Sequence, residues 1–186
     1  MNININLQDT YPLVTVAEDR TKFTFISPVV QGGVVVMTVK IVEGRNAYLN
    51  YYHNLSFGPE KDGIIDDFAI IPHVDPSKVF STVLNCALTF LEAHPNKYLV
   101  LDGADFVRAY LYFRTLQRNH GYLHKYFRIR GVKYFVRQLK GQDKFDSPNF
   151  DFEEVICKDY PIDNKPLIEH RSLFNVIVIR LRHYYF

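Results

Sequence analysis

Tryptophan is absent from these 186 residues, and cysteine is nearly so. Cys86 and Cys157 alone are too few for a disulfide framework or a structural zinc site, which points to a reduced, cytosolic protein without a metal. No apolar run approaches the ~20 residues that span a bilayer, so no membrane partner is expected. The opening stretch MNININLQDTYP lacks the basic start and apolar centre of a secretory signal. Glycine and proline number nine each, and they form neither a repeat nor a glycine-rich phosphate loop. No cofactor is expected on that ground.

What is present describes one globular domain. Hydrophobic residues make up 47% and charged residues 23%, which excludes wholesale disorder. Thirteen tyrosines and fifteen phenylalanines imply a ring-rich core or a stacking surface. Charge is divided along the chain. Residues 1–102 carry 7 Lys+Arg against 11 Asp+Glu, and residues 103–186 carry 15 against 9. Within 103–140 there are nine basic residues and one acid, Asp105. Such a block points to an anionic partner.

Hydrophobic periodicity gives an α+β fold. Period-two or β-branched stretches at Lys22–Ile26, Gly33–Val42, Ala47–Phe57 and Ile64–Ile71 predict strands, with turns at Gly32-Gly33 and Asp62-Gly63. Asp75-Pro76 caps a helix that ends at His94-Pro95. A short strand at Lys97–Leu101 precedes a second helix, about Ala104 to Asn119. Strands at Tyr126–Val132, Asp151–Lys158 and Asn175–Arg182 follow. The expected order is β-β-β-β-α-β-α-β-β-β, with two helices on a mainly antiparallel, twisted sheet. The step 64–71, 76–93, 97–101 predicts a crossover between parallel neighbours. The domain is expected over 1–158, with 159–186 as a C-terminal extension adding one strand.

Several segments together resemble a bacterial domain family of unknown function, common in Bacteroidota. They are Asn54-Leu55-Ser56-Phe57-Gly58, Ile65-Asp66-Asp67, and Asp75 followed by Lys78-Val79-Phe80-Ser81-Thr82-Val83. Gly103-Ala104 opens a helix with Arg108-Ala109-Tyr110-Leu111-Tyr112, and Phe127-Arg128-Ile129-Arg130-Gly131 comes later. The resemblance spans roughly residues 20–158. Ala104 stands where the family has serine, and Tyr110 where it has a second arginine. The order of elements, with Leu111-Tyr112 and Gly121-Tyr122, is also similar to the GNAT acyltransferase fold. That resemblance implies a coenzyme A site, but Ile71-Pro72-His73-Val74-Asp75-Pro76 lacks the glycines that such a site needs.

Five candidate sites stand out. Arg108, Arg114, Arg118, Lys125, Arg128, Arg130, Lys133 and Arg137, interleaved with tyrosines, suit RNA or DNA, because cations meet phosphates and rings stack on bases. The alternative is a solvated basic face, with Arg108 tied to Asp66 or Asp67. His120 and His124 have the spacing of paired ligands but no third ligand. With Arg108 and Tyr112 they form the group to test for metal-independent RNA cleavage. Asp66-Asp67 with Glu153 or Glu154 could hold Mg²⁺, or simply pair with basic residues. Cys86 lies beside an apolar stripe and is expected to be inert. The tail strand Val176–Ile179 either completes the sheet or offers its edge to a protein partner. The leading expectation is an RNA-binding accessory module, for instance in a toxin–antitoxin or defence setting. The alternatives are a small RNase and a protein-interaction subunit, and an acyltransferase ranks last.

Overall fold

Side chains alternate in the first third of the chain, and strands form where they do. The computed structural model describes residues 2–46, 50–103, 105–138, 150–162, 174 and 176–182, with the backbone alone for 46, 50, 106, 135–138, 150–157 and 159. β1 (Leu13–Val16), β2 (Lys22–Pro28), β3 (Val34–Asn46) and β4 (Asn50–Gly58) form an antiparallel meander. Phe23, Phe25, Met37, Val39 and Ile41 face inward and are buried, whereas Val34, Val36 and Val42 face solvent. Asp62 and Gly63 both take positive φ and turn a small hairpin of β5 (Glu60–Lys61) and β6 (Ile64–Ile65).

The strand expected over Ile64–Ile71 stops at Ile65. The Asp66 carboxylate accepts the Phe68 N–H at 3.1 Å. This local turn competes with strand pairing. Phe68 and Ile70 end in solvent.

α1 (Pro76–Ala93) begins as its sequence requires. The Asp75 carboxylate accepts the Lys78 N–H at 2.9 Å, with Pro76 in the first turn. β7 (Tyr98–Leu101) follows, then α2 (Phe106–Arg118), capped by Asp105, and the single turn α3 (His120–Leu123). β8 (Phe127–Gln138), β9 (Phe150–Pro161) and β10 (Val176–Leu181) complete an eight-stranded sheet. Its order is β1-β2-β3-β4-β7-β10-β8-β9, antiparallel except between β4 and β7. The crossover through α1 therefore joins β4 to β7, not residues 64–71 to 97–101. The tail strand β10 is interior, hydrogen-bonded to β7 on one side and β8 on the other. It completes the sheet and has no free edge for a partner. β9 runs through residue 158 to Pro161, and most of 159–186 lies outside the described residues.

The core lies on one face of the sheet. Phe90 and Leu91 of α1 and Phe113 and Leu116 of α2 bury against Phe23, Leu55, Leu99 and Ile179. A smaller cluster on the other face joins Val100, Val132, Val176 and Val178 with Tyr52, Tyr98 and Tyr134. Cys86 is fully buried, and burial pushes its thiol up to about 12, which makes it inert at neutral pH.

The first residues also belong to the core. Ile3, Ile5 and Leu7 are buried, and the asparagines between them face outward. The segment forms no sheet pairing, so its N–H groups need other acceptors. Helix side chains supply them: Asn4 donates to Ser77 Oγ, Asn6 to Ser81 Oγ, Leu7 to Tyr122 Oη and Tyr11 to Thr82 Oγ1, at 2.9–3.0 Å. Ile5 donates to Asn119 Oδ1, and Asn119 Nδ2 returns a bond to the Ile3 carbonyl, each at 2.9 Å.

Candidate nucleic-acid interface

Period two along β8 and β10 sorts their side chains. Phe127 and Ile129 enter the main core, so Arg128 and Arg130 face the other way. Ile177 and Ile179 do the same on β10, which turns Arg180 out beside them. The register places Arg180 directly opposite Arg128 on β8 and Tyr98 on β7. Its guanidinium carbon lies 4.8 Å from the centre of the Tyr98 ring. Arg128, Arg130 and Arg180 line a cleft of about 680 Å³ with Lys97, Arg182, His120 and His124. Among the described residues the cleft has five Lys/Arg cations and no carboxylate in its lining.

His120 opens α3 and His124 caps its end, with ring centroids 5.3 Å apart. Arg182 donates to the His124 carbonyl at 2.6 Å and lies against the same imidazole. Loss of hydration, then the charges of Arg182 and His120, hold His124 below the ordinary histidine pKa. Its ring is therefore neutral at pH 7 and able to take a proton.

Only part of the expected basic block arrives here. Arg128, Arg130, His120 and His124 are in the cleft. Arg108 is not: it pairs with Asp105, rather than with Asp66 or Asp67, and its guanidinium lies over the Phe68 ring. Arg114 donates to Gln117, and Arg118 to Asn2 in the N-terminal segment. Lys125 lies over the Tyr122 ring and Lys133 over the Phe174 ring. The side chain of Arg137 falls outside the described residues. Tyr112 is buried against Phe57 and Phe80, so the group Arg108, Tyr112, His120 and His124 is divided between two places.

Lys97, Arg180 and Arg182 are the contributors that composition alone passes over, because they lie outside 103–140. The alternation NVIVIRLR carried the signal, since it sets Arg180 and Arg182 on one face of a strand. The Mg²⁺ arrangement is not assembled. Asp66 and Asp67 follow β6, while Glu153 and Glu154 lie on β9, at the far edge of the sheet from β4. Among the described residues no three Asp, Glu, His or Cys side chains gather as a metal site.

An α+β sheet with helices over one face, and an arginine-lined cleft between β8, β10 and α3, define the protein's class. Within it, the chain belongs to the family of unknown function DUF6934, whose model matches residues 7–157. No curated protein and no solved structure matches the chain.

Proposed function

We propose that this protein binds single-stranded RNA, with phosphates lying along the cleft between β8, β10 and α3. One observation carries the reading: Arg128 and Arg180 stand directly opposite each other on neighbouring strands. Like charges in that position destabilise a sheet by roughly 0.2–1 kcal/mol. Lys97, Arg130 and Arg182 add to the same field. A polyanion reverses that cost, because each phosphate then meets two or more cations. The Arg180–Tyr98 pair is the kind of cation and ring couple on which a base stacks. Titrating a fluorescently labelled single-stranded RNA with the protein at low salt tests this. Saturable binding, weakened by Arg128→Gln, is expected; absence of binding overturns it.

A second reading rests on the histidine pair. Neutral His124, with His120 beside it inside a phosphate-binding cleft, suits proton transfer during metal-independent RNA cleavage. Incubation with RNA separates the two readings. Cleavage lost in both His120→Ala and His124→Ala supports the RNase. RNA that is bound and left intact supports the binding module.

The strand order supports a likeness to the GNAT fold, with β10 inserted between β7 and β8 and β4 parallel to β7. Coenzyme A chemistry has less support. Asp75 already occupies the α1 N-terminus, where a pyrophosphate would sit. The preceding loop spends its backbone on β2 and its turn: Val74 donates to the Pro28 carbonyl, and the Pro72 carbonyl accepts from Val30.

A further inference from the structure

β4 and β7 are parallel, yet they pair only at His53–Leu99 and Asn54–Val100. Beyond those pairs β4 stays with β3, and a crevice of about 280 Å³ lies beside β4 and past the end of β7. In open sheets ligands collect at such a place, outside the carboxyl ends of parallel strands that part. Two close backbone approaches shape it. A Cβ at Gly58 would collide with the Asp66 carbonyl, which lets the following turn bring Asp67 inward. A Cβ at Gly103 would collide with the Ala109 backbone, which lets α2 lie close to the end of β7.

The polar groups lining the crevice have few partners. Tyr112 is 93% buried by its 7% exposure, and its hydroxyl makes no hydrogen bond with any described residue. Burial pushes that hydroxyl up to about 12, so it stays protonated. The Asp67 and Asp102 carboxylates and the Asn54 side chain are likewise without a hydrogen bond or ion pair among the described residues. Asn54 and Asp67 are half-buried and Asp102 is exposed, so all three are open to a ligand arriving from solvent. Asp102 is held above the usual carboxylate range, first by partial desolvation of its carboxyl and then by the charge of Asp67. No Lys or Arg lines the crevice among the described residues, and Arg108 beside it is tied to Asp105. The site thus has two carboxyl groups, further acceptor oxygens and an aromatic wall from Phe57.

We propose that this crevice binds a small organic cation, seating a primary ammonium or guanidinium between Asp67 and Asp102, with Asn54 and the Tyr112 hydroxyl accepting its remaining N–H groups. Phe57 flanks the charge. A free amine and the side chain of a peptide share this chemistry, and the experiment separates the two sources.

Calorimetric titration of the full chain is run with agmatine and with cadaverine as free cations, and with a blocked Gly-Lys-Gly peptide. Glutarate and Mg²⁺ serve as comparisons. Saturable binding of either free amine supports a small-molecule site, and binding of the peptide alone supports a protein-borne amine. Asp67→Asn and Asp102→Asn should each weaken binding tenfold or more, and Tyr112→Phe about threefold. Circular dichroism melting confirms that each variant is folded. Absence of binding by all three cations overturns the proposal. So does equal binding of glutarate, retention of affinity in the folded Asp67→Asn/Asp102→Asn double variant, or preference for Mg²⁺ over the amines. The same double variant should bind RNA like the wild type, so the two sites stand or fall separately.

Discussion

Arg128 and Arg180 show how a residue pair can work against the fold it sits in. Each is an ordinary strand residue taken alone, but their register makes them cross-strand neighbours. Arg128→Gln should leave the melting temperature unchanged or raise it by a degree or two, as relief of like-charge repulsion requires, while weakening RNA binding. A marked loss of stability would instead assign Arg128 to the framework. His73 illustrates the opposite situation. Its Nδ1 lies 2.8 Å from the Ser27 hydroxyl, and burial holds its pKa below the ordinary 6.5. The unfolded chain therefore binds a proton that the folded chain refuses. Its stabilising effect is complete above pH 6.5 and is lost as pH falls through the lowered folded value. Buried His53 acts in the same direction, first through desolvation. Denaturant melts from pH 7.5 to 5 should show falling stability, and His73→Gln should flatten the curve.

At the scale of elements, the sequence was most legible where one rule acted alone. Asp75-Pro76 set the start of α1, and Asp62-Gly63 the β5–β6 turn. Period two put Arg128 and Arg130 opposite Phe127 and Ile129, as the structure has them. Local rules misjudged Ile64–Ile71, because a side chain-to-backbone bond from Asp66 ended a strand that β-branched residues favoured. They also passed over the N-terminal segment. Asn-Ile-Asn-Ile-Asn-Leu alternates like a strand, but its bonds go to helix side chains more than seventy residues away, which no local pattern reveals. Asn119→Ala should cost about 1–3 kcal/mol, since it leaves the Ile5 N–H and the Ile3 carbonyl without partners. Chemical denaturation measures that loss. A cost near zero would mean the segment is held by Ile3, Ile5 and Leu7 alone.

Across the whole molecule, β7 connects two regions of opposite charge. Lys97 and Tyr98 stand at its start beside the arginine cleft, and Asp102 stands just past its end at the acidic crevice. At ~3.3 Å per residue the two are about 16 Å apart along the strand. Composition revealed the charge asymmetry but assigned it to halves of the chain. Folding redistributes it, since the cleft draws on Lys97 before the basic block and on Arg180 and Arg182 after it. Of the segments that carry the family resemblance, those around Asn54, Asp67, Gly103 and Tyr112 meet at the crevice, whereas Phe127 to Arg130 line the cleft. No property of the separate segments foretold this, because β4, the loop after β6, β7 and α2 come together only in three dimensions.

The most direct test of the RNA-binding account is the salt dependence of affinity for a labelled single-stranded RNA, measured with the wild type and with Arg128→Gln/Arg180→Gln. Each cation that neutralises a phosphate contributes about 0.7 to the slope of log affinity against log salt. The account predicts a steep, linear loss of wild-type affinity with salt, and a slope shallower by about 1.4 in the double variant. Wild-type binding that ignores salt, or a double variant that retains both the affinity and the slope, would contradict it.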